Sequence, residues 1–252
     1  MYKIPANTLF LGKNLFFVPE CHSTNTLLAD LAQKTNPIEG TLLITAKQTK
    51  GRGQRGNGWE AEPNQNLTFS FLVKPSFLAV ADQFKLTMTV SLAVADYLCD
   101  RNLDSVKIKW PNDVMVNGKK ISGILIENTL SGSQLQQCVV GIGLNVNQTV
   151  FSIESATSMK LITDDEFALD YELNFLLEKL EGRYLQLRAG KFAELERDYL
   201  DMLYWKGEEH LFLVGGETRM GAIEGVDRIG KLKVRMGDET HFFGLKEIQF
   251  IK

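Results

Sequence analysis

Lys109-Trp-Pro-Asn-Asp-Val-Met-Val-Asn-Gly-Lys-Lys-Ile-Ser-Gly-Ile-Leu-Ile-Glu127 is the stretch from which the fold of this chain is read. Asn117-Gly118 accepts the positive φ angles of a two-residue type I′ turn, so 113–116 and 119–127 read as the arms of a β-hairpin. That turn pairs Val116 with Lys119, Met115 with Lys120, Val114 with Ile121 and Asp113 with Ser122. Val114, Val116 and Ile121 then form a core stripe. Asp113 and Lys120 share the other face as diagonal neighbours, roughly 7 to 8 Å apart at the backbone, which long side chains span. Such a pair is either an ordinary strand-end ion pair or part of a ligand face.

Upstream of the hairpin, 82–101 has the periodicity of a long helix that covers one face of a sheet, with Phe84, Val90, Val94 and Leu98 among its apolar positions and Asp82 as its cap. Residues 41–46 and 67–73 read as strands by their β-branched and aromatic content. Leu27, Leu28 and Leu31 mark a helix of about three turns that Ser23 or Thr24 caps. Downstream, a strand over 136–142 ends in Gly141-Ile-Gly143-Leu-Asn145, and helices follow over 165–188 and 192–203. After Tyr204-Trp-Lys-Gly207 the texture changes to short apolar runs at 211–214, 232–234, 242–243 and 248–251, separated by glycine-containing turns. The expectation is an α+β chain: a mixed sheet flanked by helices over 1–207, then a small β-barrel over 208–252.

Gly51-Arg-Gly53-Gln-Arg-Gly56 satisfies the spacing of a dinucleotide-binding fingerprint and of the first half of a P-loop. Asn57-Gly58-Trp59 and Pro63 oppose the helix that the first requires, and Asn57-Gly58 stands where the second requires Lys-Ser/Thr. What remains is a loop bearing Lys47, Lys50, Arg52 and Arg55 with no acid before Glu60. Backbone N–H groups and guanidinium forks in such a loop can close over a phosphate-bearing ligand. A solvated basic surface loop has the same composition. Trp59 fits either a purine-stacking platform or ordinary core.

The whole chain opposes rather than supports a global anion partner: 28 Lys and Arg against 31 Asp and Glu leave a net charge of −3, so nucleic acid is not expected. Cys21, Cys99 and Cys138 are too scattered for a disulfide framework or a zinc cluster, which fits a reducing cytoplasm. The first residues lack the order of a signal peptide, and no run approaches the roughly 18 apolar residues of a membrane span. His22, His210 and His241 are far apart, and Ser122-Gly123 is not in a nucleophile elbow, so a cofactor-free hydrolase is excluded.

Four motifs in order carry a resemblance to the biotin protein ligases. Gln48-Thr-Lys-Gly-Arg-Gly-Gln-Arg-Gly-Asn-Gly-Trp59, followed by Asn66-Leu67, resembles their signature loop; Lys109-Trp-Pro-Asn-Asp113 with Gly118 to Glu127 resembles their second signature; Gly141-Ile-Gly-Leu-Asn-Val-Asn147 resembles the third; and Ser23-Thr-Asn25 resembles the short motif before the first helix. The resemblance implies the biotin/lipoate ligase catalytic fold, akin to that of class II aminoacyl-tRNA synthetases, with an SH3-like C-terminal barrel. It also implies a short form without an N-terminal DNA-binding domain, because Ser23-Thr-Asn25 is reached almost at once.

By the same resemblance the substrates are biotin and ATP, with Mg2+, and the product of the first step is biotinyl-5′-AMP. The acceptor is a lysine of a biotin carboxyl carrier protein, of acetyl-CoA carboxylase or a related enzyme. Lys120, Asp113 and Arg52 would be catalytic, Lys120 holding the biotin carboxylate against the α-phosphate and Asp113 orienting it or meeting magnesium. Ser23, Thr24, Asn25 and Gln48 would hold the ureido ring, with Arg52, Gly53, Gln54, Lys120 and Gly123 along the tail. Arg52, Arg55, Trp59, Asn112, Lys120 and Asn145 would hold the adenylate. Many relatives carry a second arginine where this chain has Gln54, so Gln54 is assigned no ionic role. A sheet-edge homodimer is a further expectation. The nearest rival, a lipoate or octanoyl ligase or transferase, typically carries Arg-Arg before a glycine run and a nearby Val-x-His-Asp, neither of which occurs here.

Overall fold

The computed structural model describes residues 2–251, apart from the side chain of Arg55. Its centre is a seven-stranded sheet ordered β1-β2-β3-β7-β6-β5-β4, from β1 (Leu15–Cys21), β2 (Leu42–Gln48), β3 (Leu67–Val73), β4 (Val106–Lys109), β5 (Asp113–Val116), β6 (Lys119–Ser131) and β7 (Gln134–Leu144). Only the β1/β2 pair is parallel; every other neighbour runs antiparallel. Strand 67–73 lies where its composition places it, and all seven of its residues are buried because it runs through the middle of the sheet.

The two faces differ in weight. On one, α2 (Phe84–Asp100) packs against β4, β5 and β6 and is itself covered by α3 (Leu169–Arg188) and α4 (Phe192–Met202), so most of its side chains are buried. A large core forms there from Phe69, Phe71, Ile124, Val140 and Ile142 with the apolar face of α2. On the other face α1 (Thr24–Thr35) stands alone, and only Leu28, Ala32, Leu43, Leu72 and Val139 make a small core. The rest of that face is left for a cavity.

Two local expectations are corrected. Asp82 does not cap α2: a short 3-10 turn at Val80–Asp82 precedes the helix, Gln83 occupies the cap position, and the Asp82 carboxylate instead pairs with Lys85 and Arg228. In the hairpin, Asp113 lies opposite Gly123 and Val114 opposite Ser122, one residue beyond the simple register, because a bulge intervenes before Met115–Lys120. Its cause is packing. Val114, Val116, Ile121 and Ile124 are all at most 1% exposed on the core face, yet Ile121 and Ile124 are three apart, and only an extra residue lets both point inward. Two strands had no clear sequence signal. β1 contains Pro19, which an edge strand tolerates, and β9 (Glu217–Val226) opens on Glu-Thr-Arg and contains two glycines.

The C-terminal strands β8 (Glu209–Val214), β9, β10 (Leu232–Met236), β11 (Glu239–Phe243) and β12 (Ile248–Phe250) form an antiparallel sheet ordered β11-β10-β9-β8-β12. Phe212, Ile223, Leu232, Val234 and Ile248 belong to the same core as α2. Trp110 Nε1 donates to Gly230 O at 2.8 Å and Arg228 reaches Asp82, so the second sheet is fastened to the first next to the hairpin.

Candidate active site

A cavity of about 400 Å3 opens on the lightly covered face of the large sheet. Its floor is made by Thr68 of β3, Gly123 of β6, and Gly141 and Gly143 of β7; one wall is the start of α1 and another the 51–59 loop. Glycine is required on this floor by close approach. A Cβ on Gly141 would lie 2.1 Å from Asn25 Oδ1, and one on Gly143 2.1 Å from Trp59 Cε2. The bulge brings Gly123 onto this face beside Lys120, whose Nζ would lie 3.3 Å from a Cβ there.

At one end stands the charged pair: Lys120 Nζ is 2.7 Å from Asp113 Oδ1 and 5.6 Å from the centre of the Trp59 ring. The Lys120 backbone is clamped from outside the hairpin, its N–H donating to Ser155 O at 2.7 Å and its carbonyl accepting from Thr157 N at 2.9 Å. Asn112 is held by a 2.6 Å bond from Nδ2 to Ile124 O. At the other end, Gln48 Oε1 accepts from Thr24 N at 2.8 Å and from Thr24 Oγ1 at 3.2 Å, while Ser70 Oγ lies 2.7 Å from Thr24 Oγ1 and 2.6 Å from Asn25 Oδ1. Ser23 occupies the α1 cap position, but its hydroxyl makes no capping bond. The ring of polar groups at this end is thus fixed before any ligand arrives.

The loop between them is compact. Gly53 N donates to Asn57 O at 2.7 Å and Trp59 N to Gly51 O at 3.1 Å, so the loop closes on itself as a small hairpin. A Cβ on Gly51 would meet Trp59 O at 2.2 Å. Arg52 reaches sideways, donating to Thr26 Oγ1 at 2.9 Å and pairing with Glu127.

Ser23, Thr24, Asn25, Gln48, Arg52, Gly53, Gln54, Trp59, Asn112, Asp113, Lys120 and Gly123 all line this one cavity. The side chain of Arg55 lies outside the described residues. Asn145 does not line the cavity: it is 3% exposed behind Lys120 and Ile121, with Nδ2 donating to Thr157 O at 2.9 Å. Its Oδ1 and the Trp59 Nε1 are buried without a hydrogen-bond partner among the described residues, but only Trp59 belongs to the cavity lining. Sequence reasoning missed Ser70, whose hydroxyl is buried beneath the ring of polar groups, and the wall supplied by Lys109 and by Leu245, Lys246 and Phe250 of the C-terminal sheet region. Lys109 Nζ sits 4.8 Å from the Phe250 ring. No local pattern marks Leu245, Lys246 or Phe250 as cavity residues, because their meeting with Lys109 joins segments more than a hundred residues apart.

Fold and site together define a protein with a ligand-sized cavity on one face of a mixed sheet, beneath a basic glycine-rich loop and beside a lysine-aspartate pair. The model of the Biotin/lipoate A/B protein ligase family matches residues 18–145, and the chain belongs to that family. It is 31% identical over 235 residues to the biotin--[acetyl-CoA-carboxylase] ligase of Mycobacterium tuberculosis, covering 90% of this chain and 85% of that protein. It is 33% identical over 223 residues to the bifunctional ligase/repressor BirA of Bacillus subtilis, of whose length the match spans 66%. Among solved structures, the biotin protein ligase from Aquifex aeolicus in complex with biotin and ATP superposes with a TM-score of 0.78 at 28% identity, covering 95% of this chain and 99% of that one.

Proposed function

We propose that the chain is an ATP-dependent biotin protein ligase, which joins biotin to AMP and passes the biotinyl group to a lysine of a carrier protein. The observation that carries this reading is the Lys120 ammonium, held at the backbone by Ser155 and Thr157 beside Trp59, in the same cavity that has a preorganised polar ring of Thr24, Asn25 and Gln48 at its other end. One end suits a neutral bicyclic urea, which donates and accepts hydrogen bonds; the other suits a purine and its phosphates. Relatives bearing the name biotin--[acetyl-CoA-carboxylase] ligase, and a structural neighbour solved with biotin and ATP, support the same substrates here.

In the first step a biotin carboxylate oxygen attacks the α-phosphorus of ATP and pyrophosphate leaves. Two anions must meet, so a fixed cation between them lowers the barrier, and removal of such a preorganised group typically costs about 10²- to 10³-fold in rate. Lys120 fills that role and Asp113 orients it. Arg52 adds a second cation within reach of the phosphates. In the second step the carrier's neutral lysine amine attacks the acyl carbon, AMP departs with the electron pair of the broken C–O bond, and the proton lost by the amine is released to solvent. The glycine-lined floor and the loop limit water at the acyl carbon, which protects the mixed anhydride from hydrolysis.

Among the described residues no cluster of three or more His, Cys, Asp or Glu could hold a metal by itself. Asp113 and Asn112 beside a nucleotide fit magnesium that arrives with ATP, since Mg2+ is commonly held by one or two carboxylates plus substrate phosphates. When bound, it would neutralise phosphate charge. The carrier is proposed to be the biotin carboxyl carrier protein of acetyl-CoA carboxylase or a related carboxylase, in the cytoplasm, with no nucleic acid involved. A homodimer through a sheet edge belongs to the same proposal. No helix among the described residues is long and apolar enough to cross a membrane. Residues 1–207 are proposed as the catalytic domain and 208–252 as an SH3-like module that completes one wall of the cavity.

Incubating the protein with biotin, ATP, magnesium and a carrier domain, then probing the carrier for biotin, tests the proposal. Biotinylated carrier is expected; transfer of lipoate in place of biotin, with none of biotin, would replace it with the lipoate reading.

A further inference from the structure

We infer that Glu127 is a positioning residue that ties the glycine-rich loop to the polar ring of the ligand cavity. The inference rests on the proposed ligase reading for its catalytic readout alone. Glu127 lies on β6, one strand alternation beyond Leu125 and two beyond Gly123, on the cavity side of the sheet but outside the cavity itself. Its two carboxylate oxygens go in different directions. Oε2 accepts from Asn25 Nδ2 at 3.0 Å, and Oε1 pairs with the Arg52 guanidinium. Asn25 is thereby constrained from every side: Nδ2 also donates to Leu125 O at 3.1 Å, and Oδ1 accepts from the fully buried Ser70 hydroxyl at 2.6 Å. A continuous run of polar contacts leads from Gln48, the residue of β2 nearest the loop, through Thr24, Ser70, Asn25 and Glu127 back to Arg52 within the loop.

Two consequences follow from the chemistry of a carboxylate. It is acceptor-only when ionised, so it can serve two donors at once, and both Asn25 Nδ2 and the guanidinium are donors. A glutamine of the same shape has one acceptor oxygen and one donor amide, so it must abandon one of the two. The Arg52 and Glu127 side chains are 47% and 36% exposed, which makes their attraction modest as a source of global stability. Its local effect is larger, because Arg52 is the one loop side chain seen to bridge to both α1 and β6 among the described residues. Glu127 therefore sets where the loop rests and how Asn25 presents its amide, and it does so without touching the ligand.

The test uses the full-length, ligand-free protein and follows hydrogen exchange of the 51–58 amides by mass spectrometry in Glu127→Gln, Arg52→Ala and the double variant. Each single substitution should speed loop exchange severalfold while leaving the melting temperature and the exchange of β3 unchanged, and the double variant should be no faster than either single one. Steady-state kinetics with carrier supply the second arm. Glu127→Gln should raise the KM for biotin about tenfold through the displaced Asn25 amide, and by clearly more than it raises the KM for ATP, which changes only as the loop and Arg52 shift. Glu127→Asp, which keeps two acceptors, should recover part of the biotin KM. Unchanged loop exchange, or fully additive effects in the double variant, would overturn the docking role. Equal changes in both KM values, or no advantage of Asp over Gln, would overturn the link to the polar ring. If the unmodified protein transfers no biotin, the ligase reading fails while the exchange arm still decides the role of Glu127.

Discussion

Lys120 Nζ and Asp113 Oδ1 are 2.7 Å apart on the cavity face of the β5/β6 hairpin, and a bulge beside Ile121 is what lets Gly123 share that face with them. The bulge satisfies two demands on β6 at once. Ile121 and Ile124 enter the core, and the charged pair, the glycine and Glu127 all remain on the ligand side.

Lys120→Ala should lower biotin-dependent exchange of pyrophosphate into ATP by about two to three orders of magnitude. The fold should survive, because Lys120 is held by its backbone bonds to Ser155 and Thr157, which alanine retains. Exchange within a fewfold of the unmodified protein, with normal circular dichroism, would remove Lys120 from the mechanism.

Gly141→Ala should weaken biotin binding about tenfold or more, since the new Cβ would lie 2.1 Å from Asn25 Oδ1 and must displace the acceptor of the buried Ser70 hydroxyl. Calorimetric titration with biotin is the measurement. An unchanged Kd would mean that the Asn25 amide is not part of the biotin subsite.

Adding biotin and ATP should slow proteolysis between Lys47 and Arg55. The loop already closes on itself through Gly53 N to Asn57 O, and a phosphate-bearing ligand would bridge it to the cavity floor. Cleavage at the same rate with and without both substrates would show that the loop is not a lid.

Asp82 predicts a dependence of stability on acid. Its hydrogen bond to Arg228 and its pairing with Lys85 hold the Asp82 carboxyl well below the usual carboxylate range. A depressed folded-state pKa adds stability that is fully present above the unfolded value of about 3.9 and is lost as pH falls below it. Asp82→Asn should therefore melt at a lower temperature than the unmodified protein near pH 7, and the gap should narrow as the pH is taken below about 4. Because Arg228 lies in the turn between β9 and β10, near-ultraviolet signals from the aromatic residues of the C-terminal sheet should report the loss. A gap that stays constant from pH 7 to pH 3 would place the effect elsewhere.

By itself the sequence determined the elements whose signals are local. Asn117-Gly118 set the hairpin, the apolar period over 82–101 set the helix that the structure bounds at Phe84–Asp100, and the spacing of glycines and arginines set a basic loop that is neither a dinucleotide fingerprint nor a P-loop. It also brought out the residues that line one cavity, from Ser23 to Gly123, because each stands in a short motif. Tertiary structure decided the rest. The phase of β6 depended on which isoleucines found room in the core, and the fate of Asp82 on a distant arginine that outbid the helix end. The wall supplied by Leu245, Lys246 and Phe250, and the buried hydroxyl of Ser70 under Asn25, arise from contacts between segments far apart in the chain. Such contacts leave no periodic trace in either segment, since the partner that gives each residue its role is fixed only when the sheets pack together.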